Sequence, residues 1–329
     1  MFAPSPEPRA AWPHSTVLAA LAVTVILVAL AVLLFSAPAA HAAPAAPVPA
    51  AVSTAAADTA YAHQDWAAAE RGYEAVVKAA PQNARAWYRL GVAAASQGHW
   101  ARAVEAYRVA DASGRIPPQF ARYNLACAFA RSGRPDSALA TLQRLVDGGY
   151  RQVAPLESDP DLASVRGDAR FAAVLARARH NLEPCADQKE SRQFDFWVGD
   201  WNVTSNLNAG AVAGQSHVER ILGQCVIFEN WSTPNGSGKS FNAWNADLGC
   251  WQQNWMDDAG DVTNYTDGHF IDGAMRFATQ KKDATGQWVK HRLTFFPVNA
   301  DEVRQLGEHS PDGGVTWVVD YDLEYHRKR

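Results

Sequence analysis

A repeat of about 34 residues constrains the fold of this chain more than any other feature of its sequence. The second copy is the clearest, and its recurring positions are Trp87, Leu90, Gly91, Ala94, Gly98, Trp100, Ala103, Tyr107 and Ala110. An earlier copy surrounds Trp66 and Tyr73, and a later one surrounds Leu125 and Phe129. Repeats of this length predict stacked helix pairs, because each pair buries its apolar face against the next.

The spacing of small and aromatic residues in the second copy resembles the tetratricopeptide family. This resemblance implies an α-helical solenoid over residues 56–180, with a terminal helix near 159–178. It also implies a concave face, formed by the first helix of each repeat, that binds an extended peptide or a partner helix. We expect that partner-binding face to carry Arg85, Tyr88, Val92, Phe120 and Tyr123. A short array of this kind also suits a spacer or a dimerisation module.

The N-terminal segment predicts export. Residues 17–35 carry no charge and are followed by the small-x-small pattern Ala40-His41-Ala42. Residues 1–42 therefore fit either a cleaved signal peptide or a retained single-pass membrane anchor. Residues 43–55, rich in Ala and Pro, predict a linker. Both interpretations place the remaining chain outside the cytoplasm, and we expect the bacterial periplasm, with an inner-membrane anchor as the alternative.

The second half of the chain changes from helical to alternating periodicity. Residues 190–329 contain about ten short β-rich runs, separated by turn signals such as Asn235-Gly236 and Asp272-Gly273. Short connections between successive strands predict an antiparallel meander, and closure into a barrel would remove its exposed edges.

The opening of this region, Gly199-x-Trp201, resembles the start of lipocalin-like (calycin) barrels. Further matches at Glu229-Asn-Trp231, at Trp251-Gln-Gln253 and in the closing run 312–317 resemble a bacterial family of such barrels often found with tetratricopeptide repeats. The resemblance implies a multidomain α + β protein with an antiparallel, about ten-stranded lipocalin-like β-barrel. It also implies that Trp201 packs beneath Arg327 of the last strand in a cation–π contact.

The four cysteines leave two pairings open when only the residues are considered. Cys225 has Cys185 before it and Cys250 after it, on a strand that could lie next to its own, while Cys127 lies on a repeat helix. The family pattern carries Cys at positions 185 and 225, and this resemblance implies a Cys185–Cys225 disulfide.

Motifs of known catalytic chemistry are absent from the sequence. We find no Gly-x-Ser-x-Gly elbow, no His-Glu-x-x-His, no Gly-rich phosphate loop and no Cys-x-x-Cys. We therefore expect no catalytic residues, no metal ligands and no cofactor. One alternative is a haem on a single histidine, as in the nitrobindin type of ten-stranded barrel, with the candidates His269, His291, His309 and His326.

A small ligand in the barrel is the other chemistry that the sequence offers. Residues alternate between the two faces of a strand, so Trp251, Gln253, Trp255 and Asp257 share one face. If such faces point inward, they form an aromatic pocket with a few polar groups; if outward, they form surface pairs. The candidate ligand-binding residues are Glu229, Asn242, Trp251, Gln253, Trp255, Asp257, Arg304 and Glu308.

Charge argues against nucleic acid as a partner. The net charge is −4, and the sequence has no clustered stripe of Lys and Arg. We predict an exported, non-enzymatic binding or scaffold protein, whose repeats dock a protein or peptide and whose barrel binds a small apolar or aromatic molecule. The alternatives are a barrel-cavity isomerase or hydrolase that uses Asp257 or Glu229, and a purely structural module with a filled barrel.

Overall fold

The computed structural model describes residues 53–329. The predicted signal peptide or anchor at 1–42 and most of the predicted linker at 43–55 lie outside the described residues. Among the helices of 53–329, none has the length and apolar character that a membrane span needs.

Six helices form the repeat part of the chain, and each packs against the next one. The side chains of Asp65 and Asn83 cap the second and third helices by accepting from the backbone N–H groups of Ala68 and Ala86 at 3.0 Å. The helices are α1 (Ala55–Ala62), α2 (Trp66–Ala79), α3 (Ala84–Ser96), α4 (Trp100–Ala112), α5 (Pro118–Arg131) and α6 (Pro135–Asp147).

The terminal helix expected near 159–178 begins later than the sequence pattern indicated. The structure has α7 (Val153–Ser158), a 3₁₀ turn (Pro160–Leu162) and α8 (Ala169–Leu182). The chain restarts twice because Asp159 and Asp168 each accept from the backbone N–H two residues later, at 2.9 and 2.8 Å. These contacts begin new turns instead of continuing one helix.

Helices α3 and α4 approach each other closely at Gly91. A Cβ atom on Gly91 would lie 2.6 Å from ring atoms of Tyr107, whose side chain is buried. Ala94 and Ala103 are also fully buried in this contact region. The small residues of the repeat thus set the distance between its two helices.

We expect Gly91→Ala to lower the free energy of unfolding of the repeat helices by about 1–3 kcal/mol, because the tyrosine must move. Gly167→Ala is the matched control, since Gly167 has open space around its Cα and an ordinary φ. Urea unfolding followed by circular dichroism at 222 nm measures both variants. Equal stability of the two variants would contradict the close contact.

Ten antiparallel strands form a closed barrel, in which each strand pairs with its sequence neighbours and β1 pairs with β10. At the closing seam Trp201 lies opposite Arg327 and Val203 opposite Tyr325. The predicted ten-stranded antiparallel barrel is confirmed. The strands are β1 (Gly199–Ser205), β2 (Ala211–Ile221), β3 (Val226–Thr233), β4 (Gly236–Asn245), β5 (Cys250–Asp257), β6 (Val262–Ile271), β7 (Ala274–Lys282), β8 (Trp288–Asn299), β9 (Glu302–Ser310) and β10 (Val318–Arg327).

A disulfide joins the segment before the barrel to the β2–β3 turn. Cys185 and Cys225 are bonded, with their Cα atoms 4.9 Å apart. Gly223, with φ +69°, lets this turn approach closely: a Cβ there would lie 2.8 Å from Pro184 Cδ. Cys127 and Cys250 are buried free thiols, so the alternative Cys225–Cys250 pairing is not the one in the structure.

Replacing both bridged cysteines, as Cys185→Ser with Cys225→Ser, should lower the free energy of unfolding by about 3–4 kcal/mol, because the bridge closes a long loop in the unfolded chain. The measurement is chemical unfolding with and without reductant. Reductant should bring the wild type to the level of the double variant and leave that variant unchanged. A wild type insensitive to reductant, or Cys185 alkylated without reduction, would refute the expectation.

Candidate functional site

One end of the barrel is a packed aromatic core. Trp197 and Trp201 are fully buried in it, with Phe194, Trp251, Phe277, Phe295 and Tyr325 around them. The Arg327 guanidinium carbon lies 4.2 Å from the Trp201 ring centroid, which confirms the predicted contact.

Gly199 makes this contact sterically feasible. Its φ is +150°, and a Cβ on it would overlap the Arg327 guanidinium. The guanidinium also donates to the carbonyl oxygens of Val198 and Ala300, each at 3.0 Å. The Gly-x-Trp element therefore provides both the ring beneath Arg327 and the space beside it.

The other end of the barrel holds a cavity of about 320 Å³. This volume is enough for one small molecule. Gln253 and Gln305 contribute polar groups to its wall, and Leu293 and Leu323 contribute aliphatic surface. Five large aromatic side chains also line it: Trp231, Trp255, Tyr265, Tyr321 and Tyr325.

Glu229 lies on β3 at the inner end of this cavity, and it is 2% exposed. Its two carboxylate oxygens accept from Ser216 Oγ at 2.8 Å and from Ser240 Oγ at 3.1 Å. Burial raises the pKa of Glu229 to about 7, although these hydrogen bonds lower it in part. Within residues 53–329 no Lys, Arg or His forms an ion pair with it.

A chain of amides supports the polar wall behind Glu229. Gln253 Nε2 donates to Asn242 Oδ1 at 2.7 Å. Asn242 Nδ2 donates in turn to Ser240 Oγ and to the Ile227 carbonyl oxygen, both at 3.0 Å. Asn242 is fully buried and does not line the cavity. It orients Gln253, which lines the cavity, and Ser240, which donates to Glu229.

The mouth of the cavity carries charged and titratable groups. Lys281, His291 and Asp320 border it. The Asp320 carboxylate lies near two imidazoles. Its Oδ1 is 2.5 Å from His309 Nδ1, and its Oδ2 is 3.9 Å from His291 Nδ1. Burial lowers the pKa of His291, while the Asp320 charge raises it in part.

Of the predicted ligand-binding residues, the structure brings Glu229, Gln253 and Trp255 together in the cavity wall. Glu308 borders the cavity, but its carboxylate accepts from Arg292 Nε at 2.5 Å and Nη2 at 2.7 Å. The other four predicted residues, Asn242, Trp251, Asp257 and Arg304, do not line it.

Local contacts explain why three of these four residues do not line the cavity. Asp257 Oδ1 accepts from the backbone N–H groups of Ala259 and Asp261 at 3.0 Å, and so it shapes the β5–β6 turn. Arg304 forms a two-pronged ion pair with Asp322 at 2.8 Å, on the face of β9 opposite Gln305. Trp251 lies in the packed end of the barrel and donates to Gln193 Oε1 at 3.1 Å.

Several lining residues were not predicted from the sequence. Tyr321, Leu323 and Tyr325 alternate with acidic residues along β10, and this alternation was a usable signal for an inward face. Asp320 had no such signal. It reaches the mouth because β10 bulges between Val319 and Tyr321, which shifts the pairing with β9 by one residue.

The histidines considered for haem occupy different places. His291 lines the cavity and His309 lies beside it. His269 pairs with Asp267, and His326 lies near Glu324, both well exposed to solvent.

The predicted partner-binding face of the repeats is only partly open. Arg85 and Phe120 are exposed, whereas Tyr88 and Val92 are half-buried. Asn124 Nδ2 donates to the Tyr88 hydroxyl at 3.2 Å. Tyr123 is not free in the groove, because its hydroxyl donates to Asp159.

The segment 155–161 covers the third repeat. The Tyr123 hydroxyl donates to Asp159 Oδ2 at 2.8 Å, and its ring stacks on Tyr150 with centroids 5.8 Å apart.

Within residues 53–329, one group has donor atoms close enough for a metal ion, namely Cys127, Asp159 and Asp161, within 4.8 Å of one another. Asp161 also pairs with Arg131 at 3.2 Å, so contacts within the repeats account for these carboxylates.

Comparison with protein families covers the helical part of the chain. Residues 54–117 and residues 120–147 each match a tetratricopeptide repeat model. Helices α1–α6 are tetratricopeptide repeats. The closed ten-stranded barrel is compatible with the lipocalin-like resemblance. No curated protein matches the chain in sequence.

The buried Glu229 should make stability depend on pH. Its pKa of about 7 in the folded protein exceeds its ordinary value of 4.5, so the native state binds more protons than the unfolded state between these values. The free energy of unfolding should therefore fall as pH rises through this range, by about 3 kcal/mol more in wild type than in Glu229→Gln.

Urea unfolding at pH 5 and pH 8 measures this difference. Glu219→Gln is the matched control, because Glu219 is exposed on the neighbouring strand β2. Its stability should follow the wild type at both pH values. Identical pH dependence in the wild type and Glu229→Gln would contradict a buried, unpaired carboxylate.

Proposed function

We propose that this is an exported binding protein. Its barrel holds a small, mainly apolar or aromatic molecule, and its tetratricopeptide repeats dock a protein or peptide partner. We place it in the periplasm. The observation that carries the proposal is the cavity of about 320 Å³, lined by five large aromatic side chains and by polar groups from several strands, in a barrel whose other end is packed.

The arrangement of polar groups supports ligand binding. Glu229, Gln253 and Gln305 lie on three different strands and converge on one cavity. A few fixed polar groups in an apolar pocket are what orients a small ligand. A purely structural barrel would have filled this space with side chains, so the cavity argues against that alternative.

The disulfide supports export. Structural disulfides persist in oxidising compartments such as the periplasm and are rare in the cytosol. The Cys185–Cys225 bridge thus agrees with an N-terminal segment of residues 1–42 that has the composition of a signal peptide or anchor.

The repeats support a protein or peptide partner in general, because solenoids of this type present extended binding surfaces. The open part of the predicted face contains the exposed Phe120 and Arg85 beside the half-buried Tyr88 and Val92. This surface is mainly apolar and suits the apolar side of a peptide or helix.

One observation favours a second candidate, a cavity isomerase or hydrolase. A carboxyl with a pKa of about 7 is suited to acid–base catalysis at neutral pH, and Glu229 has this property inside the cavity. Asp257 does not share the role, since it belongs to a turn. Turnover of a bound carbonyl compound that is lost in Glu229→Gln while binding persists would establish this candidate.

Filling the cavity tests the binding proposal. The neutral fluorescent probe N-phenyl-1-naphthylamine should bind wild type with enhanced emission, and Leu293→Trp should weaken binding by about tenfold or more, since the new ring occupies the cavity. A second blocking variant, Thr263→Trp, acts at another wall position.

Leu306→Trp is the matched control, because Leu306 lies on β9 next to Gln305 and therefore on the opposite face of the strand. It should bind the probe like the wild type. Probe binding that is absent from the wild type, or equal in all four proteins, would refute the proposed cavity site.

A further inference from the structure

We infer that the cavity selects amines: ligands with a protonated nitrogen on an aromatic or apolar body, for which Glu229 is the counter-ion. This inference rests on the proposed binding function and names the chemical class of the ligand. The geometry that points to it is a carboxylate at the inner end of an aromatic cavity, with which no Lys, Arg or His of residues 53–329 forms an ion pair.

The carboxylate is costly for the barrel in the absence of a cation. Glu229 is 2% exposed, and its partners are neutral hydroxyl groups. Removing a charge from water is unfavourable unless an opposite charge compensates it. Other carboxylates of the barrel have such partners, as Glu308 has Arg292 and Asp322 has Arg304.

Glu229 retains capacity for a ligand N–H. A carboxylate has about four acceptor positions. Ser216 and Ser240 occupy one position on each oxygen. The Tyr325 hydroxyl is 3.4 Å from Glu229 but only 2.6 Å from Gln305 Oε1, and its single proton goes to the shorter contact. An ammonium group has three donors and can use the free positions.

The groups nearest to Glu229 are neutral, whereas the cationic Lys281 is exposed at the mouth of the cavity. Tyr321 and Tyr325 face it from β10, and burial raises the pKa of both hydroxyl groups well above 10. Gln253 and Gln305 line the cavity from β5 and β9. Lys239, next to Ser240 on β4, is exposed and on the opposite face of that strand. A ligand is therefore the available source of a buried positive charge.

The aromatic wall favours the same ligand class. Trp231, Trp255 and Tyr265 surround the space in front of Glu229, and their ring faces attract cations. At the mouth, the positive Lys281 is accompanied by the negative Asp320, which reduces repulsion of an entering cation. The apolar body of an arylalkyl amine can thus pack against this wall while its nitrogen contacts Glu229.

Three isosteric indoles test the inference: tryptamine (cation), tryptophol (neutral) and indole-3-acetate (anion), each displacing N-phenyl-1-naphthylamine from the full-length protein. At pH 8 tryptamine should bind the wild type about tenfold more tightly than tryptophol, because it forms a charged hydrogen bond. Indole-3-acetate should bind the most weakly. The advantage of tryptamine should shrink at pH 6, where Glu229 is mostly protonated.

Glu229→Gln should bind the naphthylamine probe and tryptophol but lose the preference for tryptamine, whereas Glu219→Gln should keep it. Retained probe binding shows that Glu229→Gln is folded. Equal affinity of the wild type for tryptamine and tryptophol at pH 8, or a preference that survives in Glu229→Gln, would overturn the inference and leave the cavity as a binding site. Failure of every probe to bind the wild type would overturn both proposals.

Discussion

Pairing of the first strand with the last is the constraint on which the barrel and its cavity depend. It brings Trp201 opposite Arg327, two residues far apart in sequence, and gives the sheet an inside and an outside. The guanidinium rests on the indole and satisfies two backbone carbonyls, so the seam is held by ring, charge and hydrogen bonds together. Gly199 provides the space beside the guanidinium. Once the seam is formed, alternate residues of every strand are committed to the interior.

The interior is divided into two parts of different character. Large aromatic residues fill the end near Trp201, whereas the end near Trp255 retains a cavity of about 320 Å³. Glu229 lies where the two parts meet, without a cationic partner in the part of the chain that the structure describes. A buried carboxylate of this kind lowers the stability of the barrel at neutral pH, and a ligand cation that pairs with it would offset this cost. The cavity and the carboxylate therefore support the same functional interpretation.

The architecture was largely predictable from sequence because it depends on local periodicity. In the repeats, Gly91 and Tyr107 have to pack against each other, and their spacing indicates the helix pair directly. In the barrel, alternation and turn signals indicated ten strands, the removal of exposed edges favoured closure, and the Gly-x-Trp resemblance implied the contact with Arg327. The start of the terminal helix was the exception. There, Asp159 and Asp168 start new turns through side-chain hydrogen bonds, and such a competition between local contacts is not visible in a hydrophobic pattern.

The sequence by itself determined which faces of the strands are apolar, and it identified Glu229, Gln253 and Trp255 as candidates for one site. Only the tertiary structure decided which polar residues reach the cavity. Arg304 forms an ion pair with Asp322, and Glu308 forms one with Arg292, each on a neighbouring strand. The alternation pattern of a strand is the same whether its charged face points inward or outward. Asp320 reaches the mouth through a bulge that changes the phase of β10. Pairing partners and bulges are properties of neighbouring strands, so the sequence of a single strand cannot specify them.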